Sequence, residues 1–118
     1  MKSMLLYARG NENDNLTGED LREGLYSAFD KLGTRKKVLA IPPDFTRYHS
    51  RAGELTALAW RYYGEALTDV LPALGTHAPM TRDEIERMFE TVPPKLFRRH
   101  NWRTDLVTNE RTLLVSVA

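Results

Sequence analysis

The sequence predicts a small α/β domain of three-layer type, in which helices flank a short parallel sheet. Short continuous apolar runs, typical of strands buried on both faces, alternate with segments that carry apolar residues at helical spacing. The chain has 118 residues, which is enough for one hydrophobic core. We therefore expect residues 1–118 to form a single α/β domain.

The first predicted element is a strand over the apolar run 4–8. Thr17, with acidic residues after it, has the pattern of a helix N-cap, and apolar side chains follow at helical spacing. Gly33 is a suitable end for this helix. The apolar run Val38–Ile41 is typical of a buried strand, and the two prolines that follow end it.

The second half of the chain repeats this alternation. A second helix is predicted after Ser50, with an apolar face that extends to Leu67. A second strand is predicted over 70–75, although a proline within it removes one donor. Thr81 begins a capping box and therefore a third helix. The tail 113–118 is either a further strand or a frayed end.

Composition excludes several classes of function. The chain has 17 Lys and Arg against 16 Asp and Glu, so its net charge of +1 gives no general attraction to nucleic acid or to acidic membranes. It has no cysteine, which excludes disulfides, thiolate metal sites and cysteine nucleophiles. It has neither an apolar run of membrane-spanning length nor an N-terminal secretion signal. We expect a cytoplasmic protein without nucleic-acid or membrane partners.

The first segment that carries chemistry is 44–50, between a predicted strand and a predicted helix. Parallel α/β sheets bind ligands at the carboxyl ends of their strands, where Asp44, Thr46 and Arg47 would lie. An arginine there is able to form a bidentate pair with a carboxylate or a phosphate. The alternative is a capped turn with an ion pair between Asp44 and Arg47.

The second segment, 74–81, has the same position after a strand and before a capped helix. His77 within it is a candidate general acid or base, because the pKa of histidine lies near neutrality. The alternative is a surface histidine in a turn rich in glycine and proline.

The third segment, 98–105, places three arginines around Trp102, an arrangement that can stack on nucleic-acid bases. The near-neutral chain favours the alternative of a solvated polar turn. The three histidines lack metal-ligand spacing, so we predict no metal site built by this chain alone.

Three motifs occur in a recognisable order: Asp-Phe-Thr-Arg at 44–47, Leu-Gly-Thr-His-Ala-Pro-Met-Thr at 74–81, and His-Asn-Trp at 100–102. Together they resemble the N-terminal part of the nickel-pincer-dependent lactate racemase family, over residues 36–107. The resemblance implies an isomerase that racemises or epimerises 2-hydroxy acids by hydride transfer to a nickel pincer nucleotide.

The resemblance also implies roles for individual residues. His77 corresponds to one of two histidines that act as acid and base on the substrate hydroxyl, and Arg47 to the arginine that positions and polarises the substrate. The segment that contacts the cofactor or its surroundings includes Asp44 and Thr46. His100 and Trp102 are further candidates, on the third motif.

The chain also departs from the family pattern. Family members are several times longer, and the lysine that links to the cofactor, the nickel-binding histidine and the second acid/base histidine have no counterpart in this chain. We therefore expect an N-terminal fragment of a longer two-domain enzyme, inactive alone and not holding the cofactor by itself. Its substrate in the full-length protein would be a small 2-hydroxy acid, and the fragment would self-associate through an exposed interface. The alternative is a non-catalytic module that binds a small anion or a partner subunit.

Overall fold

The computed structural model describes residues 5–73, 78–99 and 113–116, the last four by their backbone alone. The chain divides into two compact units, 1–34 and 35–118, and each is described by itself. The single domain that we expect from the sequence stays a prediction.

The first unit contains helix α1, Gly18–Leu32. Thr17 caps it as predicted: its hydroxyl accepts from the Asp20 N–H at 3.2 Å, and the Asp20 carboxylate accepts from the Thr17 N–H at 2.9 Å. Gly33 ends the helix with a φ of 81°, and its N–H donates to the carbonyl of Phe29 at 3.0 Å. Both predicted ends of this helix are confirmed.

The predicted strand over 4–8 is wrong in its described part, because residues 5–8 have no regular structure. They lie beside α1 instead. Lys31 donates from Nζ to the carbonyl of Leu6 at 2.6 Å, and the ring of Tyr7 occupies the space that a Cβ at Gly24 would need.

The second unit is built on a three-stranded parallel sheet with β1 in the centre. The strands are β1, Val38–Ile41, β2, Leu67–Val70, and β3, Leu113–Ser116, in the spatial order β2-β1-β3. Both neighbours run parallel to β1. The structure confirms the predicted α/β class with a short parallel sheet, and it confirms a strand within the tail.

Two helices complete the second unit: α2, Ala52–Tyr63, and α3, Arg82–Phe89. They pack against each other so closely that a Cβ at Gly53 would overlap the carbonyl group of Met88. Helix α2 also contacts β2. The core of this unit consists of buried apolar side chains from β1, β2, both helices and the turn after α3, including Val38, Ala40, Leu58, Ala59, Leu67, Val70, Met88, Phe89 and Val92.

The predicted boundary between the second helix and the second strand is wrong by several residues. Helix α2 ends at Tyr63, because Gly64 adopts a φ of +57° and donates its N–H to the carbonyl of Trp60. Strand β2 begins at Leu67, which the helical spacing had assigned to the helix face. The strand therefore covers 67–70 instead of 70–75.

Candidate functional site

The neighbouring strands β1 and β2 end side by side, at a place that we call the carboxyl edge: residues 42–47 after β1 and residues 71–73 after β2. The N–H of Ala73 donates to the carbonyl of Pro42 at 2.8 Å, and Pro43 forms a parallel bridge with Ala73. The chain thus stays paired beyond both strands. The segments that follow the two strands consequently begin next to each other, as the sequence predicts for a ligand site.

Asp44 fixes the shape of the first segment. It is 5% exposed and is the N-cap of a 3₁₀ helix, Phe45–Ser50. Its Oδ1 accepts from the N–H of Thr46 at 3.1 Å and from the hydroxyl of the same residue. A buried carboxylate needs such partners, and a capping aspartate supplies the acceptor that the first N–H groups of a helix lack. Asp44 therefore serves as the internal anchor of this segment.

Arg47 is exposed, beside this anchor. Its Nη1 lies 3.4 Å from the carbonyl oxygen and 3.5 Å from the hydroxyl of Thr46. Among the described residues, no carboxylate forms an ion pair with Arg47. The alternative of an ion pair between Asp44 and Arg47 is therefore not what the structure shows, and the guanidinium retains donors for an anionic ligand.

Aromatic side chains surround the same turn. The ring of Phe45 lies 5.2 Å from that of Tyr48, which meets His49 edge to face at 5.1 Å. The guanidinium of Arg87, on α3, lies over the ring of Phe45 at 5.5 Å. This contact joins the 3₁₀ helix to α3. The sequence analysis did not predict the contact between Arg87 and Phe45. The only local signal was the spacing of Phe45 and Tyr48, which indicates that their rings share one face.

The second and third motifs are described only in part. His77, His100 and Trp102 lie outside the described residues. The end of the second motif is described: Thr81 caps α3, with its hydroxyl accepting from the Glu84 N–H at 3.2 Å. The structure brings together the candidates of the first motif alone.

One arginine of the third segment has a structural role. Arg98 forms an ion pair between its Nε and Oδ1 of Asp69 at 2.8 Å. Its N–H donates to the carbonyl of Val70, and its Nη1 donates to the carbonyl of Lys95. These bonds hold the backbone after residue 97 against β2. The guanidinium of Arg98 is therefore bound by groups of the protein itself.

The described residues do not fit the nickel cofactor that the resemblance implies. They contain no group of three His, Cys, Asp or Glu side chains placed to hold a metal ion. The carboxylate nearest to Arg47 in the motif, Asp44, is occupied by Thr46. We therefore assign no chemical step through that cofactor to these residues. In the same described part of the chain, no helix combines the length and the apolar character needed to cross a membrane.

Comparisons with known proteins add no further assignment. No family model, curated protein or solved structure matches this chain. Its function is therefore inferred from its residues and from the geometry of the carboxyl edge.

Proposed function

We propose that this chain supplies the substrate-binding part of a 2-hydroxy-acid racemase or epimerase, and that it is inactive alone. One observation carries the proposal: Arg47 stands at the carboxyl edge without a carboxylate partner among the described residues, on a turn anchored by buried Asp44. The order of the three motifs, and their resemblance to the nickel-pincer-dependent racemase family, supports the same function.

The polar residues Asp44, Thr46, Arg47 and His77 carry the roles in this proposal. Arg47 binds the substrate carboxylate through paired N–H donors, which fixes the orientation of the α-carbon. Asp44 positions Arg47 by holding Thr46, and His77 takes and returns the proton of the substrate hydroxyl. Asp44 and Thr46 keep the position beside the cofactor that the resemblance implies, and the other groups that would hold it would come from outside residues 1–118. A cytoplasmic location belongs to the proposal as well.

Steady-state kinetics test the proposal. They require a longer, active protein that contains both this chain and the part of the enzyme that would hold the cofactor. Arg47→Ala and His77→Ala are each expected to lower kcat/KM for lactate racemisation by at least about a hundredfold. Arg47→Ala should leave the unfolding temperature unchanged, because this side chain is exposed. Arg51→Ala is the matched control, since this exposed arginine pairs with Glu54 at 2.9 Å. Full turnover in Arg47→Ala would overturn the assignment.

Arg47, which has no carboxylate partner among the described residues, also favours a second function, a non-catalytic module that binds a small anion. Size-exclusion chromatography with light scattering separates the two. A piece of an enzyme exposes the apolar surface that its missing part would cover, and it self-associates. A complete anion-binding module is monodisperse, binds lactate and inorganic phosphate alike, and yields no turnover with any added protein.

A further inference from the structure

A cleft that Arg47 does not line lies between the end of β2, helix α3 and residues 97–99. Its volume is about 150 Å³. Apolar residues and two arginines line it in about equal shares of surface: Pro72, Pro79, Met80, Ile85, Phe97, Arg98 and Arg99. Small-molecule sites likewise combine apolar side chains with polar groups that orient the ligand.

The wall of this cleft is held in place by contacts within the protein. Phe97 packs on Phe89 with ring centroids 4.9 Å apart and forms a parallel bridge with Val70. Arg98 is tied to Asp69 and to the carbonyl of Lys95. A ligand therefore enters a preformed surface and loses little affinity to ordering it.

Arg98 and Arg99 differ in whether a described carboxylate neutralises their charge. The carboxylate of Asp69 neutralises Arg98. Arg99 is exposed and has no ion-pair partner among the described residues. In the described part of the chain, the cleft thus combines apolar side chains with one positive charge that no carboxylate neutralises, which favours a ligand with a single negative charge.

We infer that this cleft binds a small monocarboxylate with an aromatic or branched apolar group. A cavity of about 150 Å³ accommodates a ring of the size of benzene. The ring lies against Ile85 and Phe97, while the carboxylate pairs with the guanidinium of Arg99. Of the carboxyl edge, this site includes Pro72 but none of residues 42–47, and it does not depend on racemase activity.

Titration of the ¹⁵N-labelled full chain with phenylacetate tests the inference. Amide resonances of residues 80–85 and 97–99 should shift with a millimolar dissociation constant, and those of residues 44–49 should not. Acetate lacks the ring and 2-phenylethanol lacks the charge, so each should bind at least about tenfold more weakly.

Two variants test whether Arg99 supplies the positive charge that binds the carboxylate of the ligand. Arg99→Gln is expected to weaken phenylacetate binding about tenfold. Arg61→Gln removes one positive charge from the exposed side of α2, outside the cleft, and should leave the affinity unchanged. Equal binding by Arg99→Gln and the unmodified chain would overturn the pairing with Arg99. Shifts confined to residues 44–49, or no shift at all, would overturn the site itself.

Discussion

At the residue scale, the buried carboxylate of Asp44 determines the local structure of the candidate site. Asp44→Ala removes the acceptor for both the N–H and the hydroxyl of Thr46. We expect a loss of at least about 1 kcal/mol in the free energy of unfolding, as for other N-caps. Asp44→Asn keeps a side-chain oxygen and should recover most of this loss. Urea denaturation measures both variants, and equal stability of Asp44→Ala and the unmodified chain would contradict the anchoring role.

The titration of the Asp20 carboxyl predicts how the free energy of unfolding depends on pH. Hydrogen bonds from the N–H and hydroxyl of Thr17 lower the pKa of Asp20, and the nearby charge of Arg9 lowers it further. Because the folded-state pKa lies below the unfolded value of about 3.9, the stabilisation is complete above that value. It is lost as the pH falls through the folded pKa.

Denaturation of Asp20→Asn at several pH values measures this linkage. The unmodified chain should be more stable than the variant at pH 7, and the difference should shrink below about pH 4. A difference that is constant or that grows towards acid pH would contradict the assignment of this titration to Asp20.

At the scale of elements, the close contact between α2 and α3 predicts the sign of the stability change that Gly53→Ala causes. Helix propensity alone would have Gly53→Ala stabilise the chain by up to about 1 kcal/mol. The added Cβ would instead lie 2.8 Å from the carbonyl carbon of Met88, so we expect a destabilisation of about 1–3 kcal/mol.

Gly24→Ala is the matched control for Gly53→Ala. Its Cβ would meet the ring of Tyr7, which is 42% exposed and able to move away, so the change in stability should stay below about 1 kcal/mol. Thermal or urea unfolding compares the two variants. A more stable Gly53→Ala chain would mean that α2 and α3 do not approach as closely as described.

The elements that the sequence predicts correctly are those with local signals. Thr17, Gly33 and Thr81 act on N–H and carbonyl groups of their own helix within a few residues. The second strand was misplaced because its start depends on the positive φ of Gly64, and helical spacing continues past that residue. The prediction of a strand over 4–8 was wrong in its described part. Apolar spacing does not reveal that Leu6 and Tyr7 contact helix α1.

The same distinction applies to the candidate site. The hydrogen bonds from Thr46 to Asp44 join residues two positions apart, so the motif itself indicates them. Two other contacts join residues distant in the chain: Arg87 over Phe45, and Arg98 with Asp69. No local pattern predicts such pairs. The ion pair between Arg98 and Asp69 holds one wall of the cleft at Arg99, so no local pattern predicts this cleft.

At the scale of the whole molecule, the chain should lack both the metal and the activity that the resemblance implies. Because the described residues offer no group of three metal ligands, we expect the purified chain to retain well under one nickel per molecule after dialysis. Elemental analysis by mass spectrometry measures the content. One tightly held nickel per chain would contradict the view that this chain supplies only the substrate-binding part.

The central claim is that Arg47 at the carboxyl edge binds the carboxylate of a 2-hydroxy acid. Titration of the ¹⁵N-labelled chain with lactate tests it most directly, with Arg51→Gln as control for Arg47→Gln. We predict that amides of residues 44–49 shift in the unmodified chain and in Arg51→Gln, and that Arg47→Gln weakens binding at least about tenfold. Equal lactate binding by Arg47→Gln, or no shift at residues 44–49, would contradict the claim.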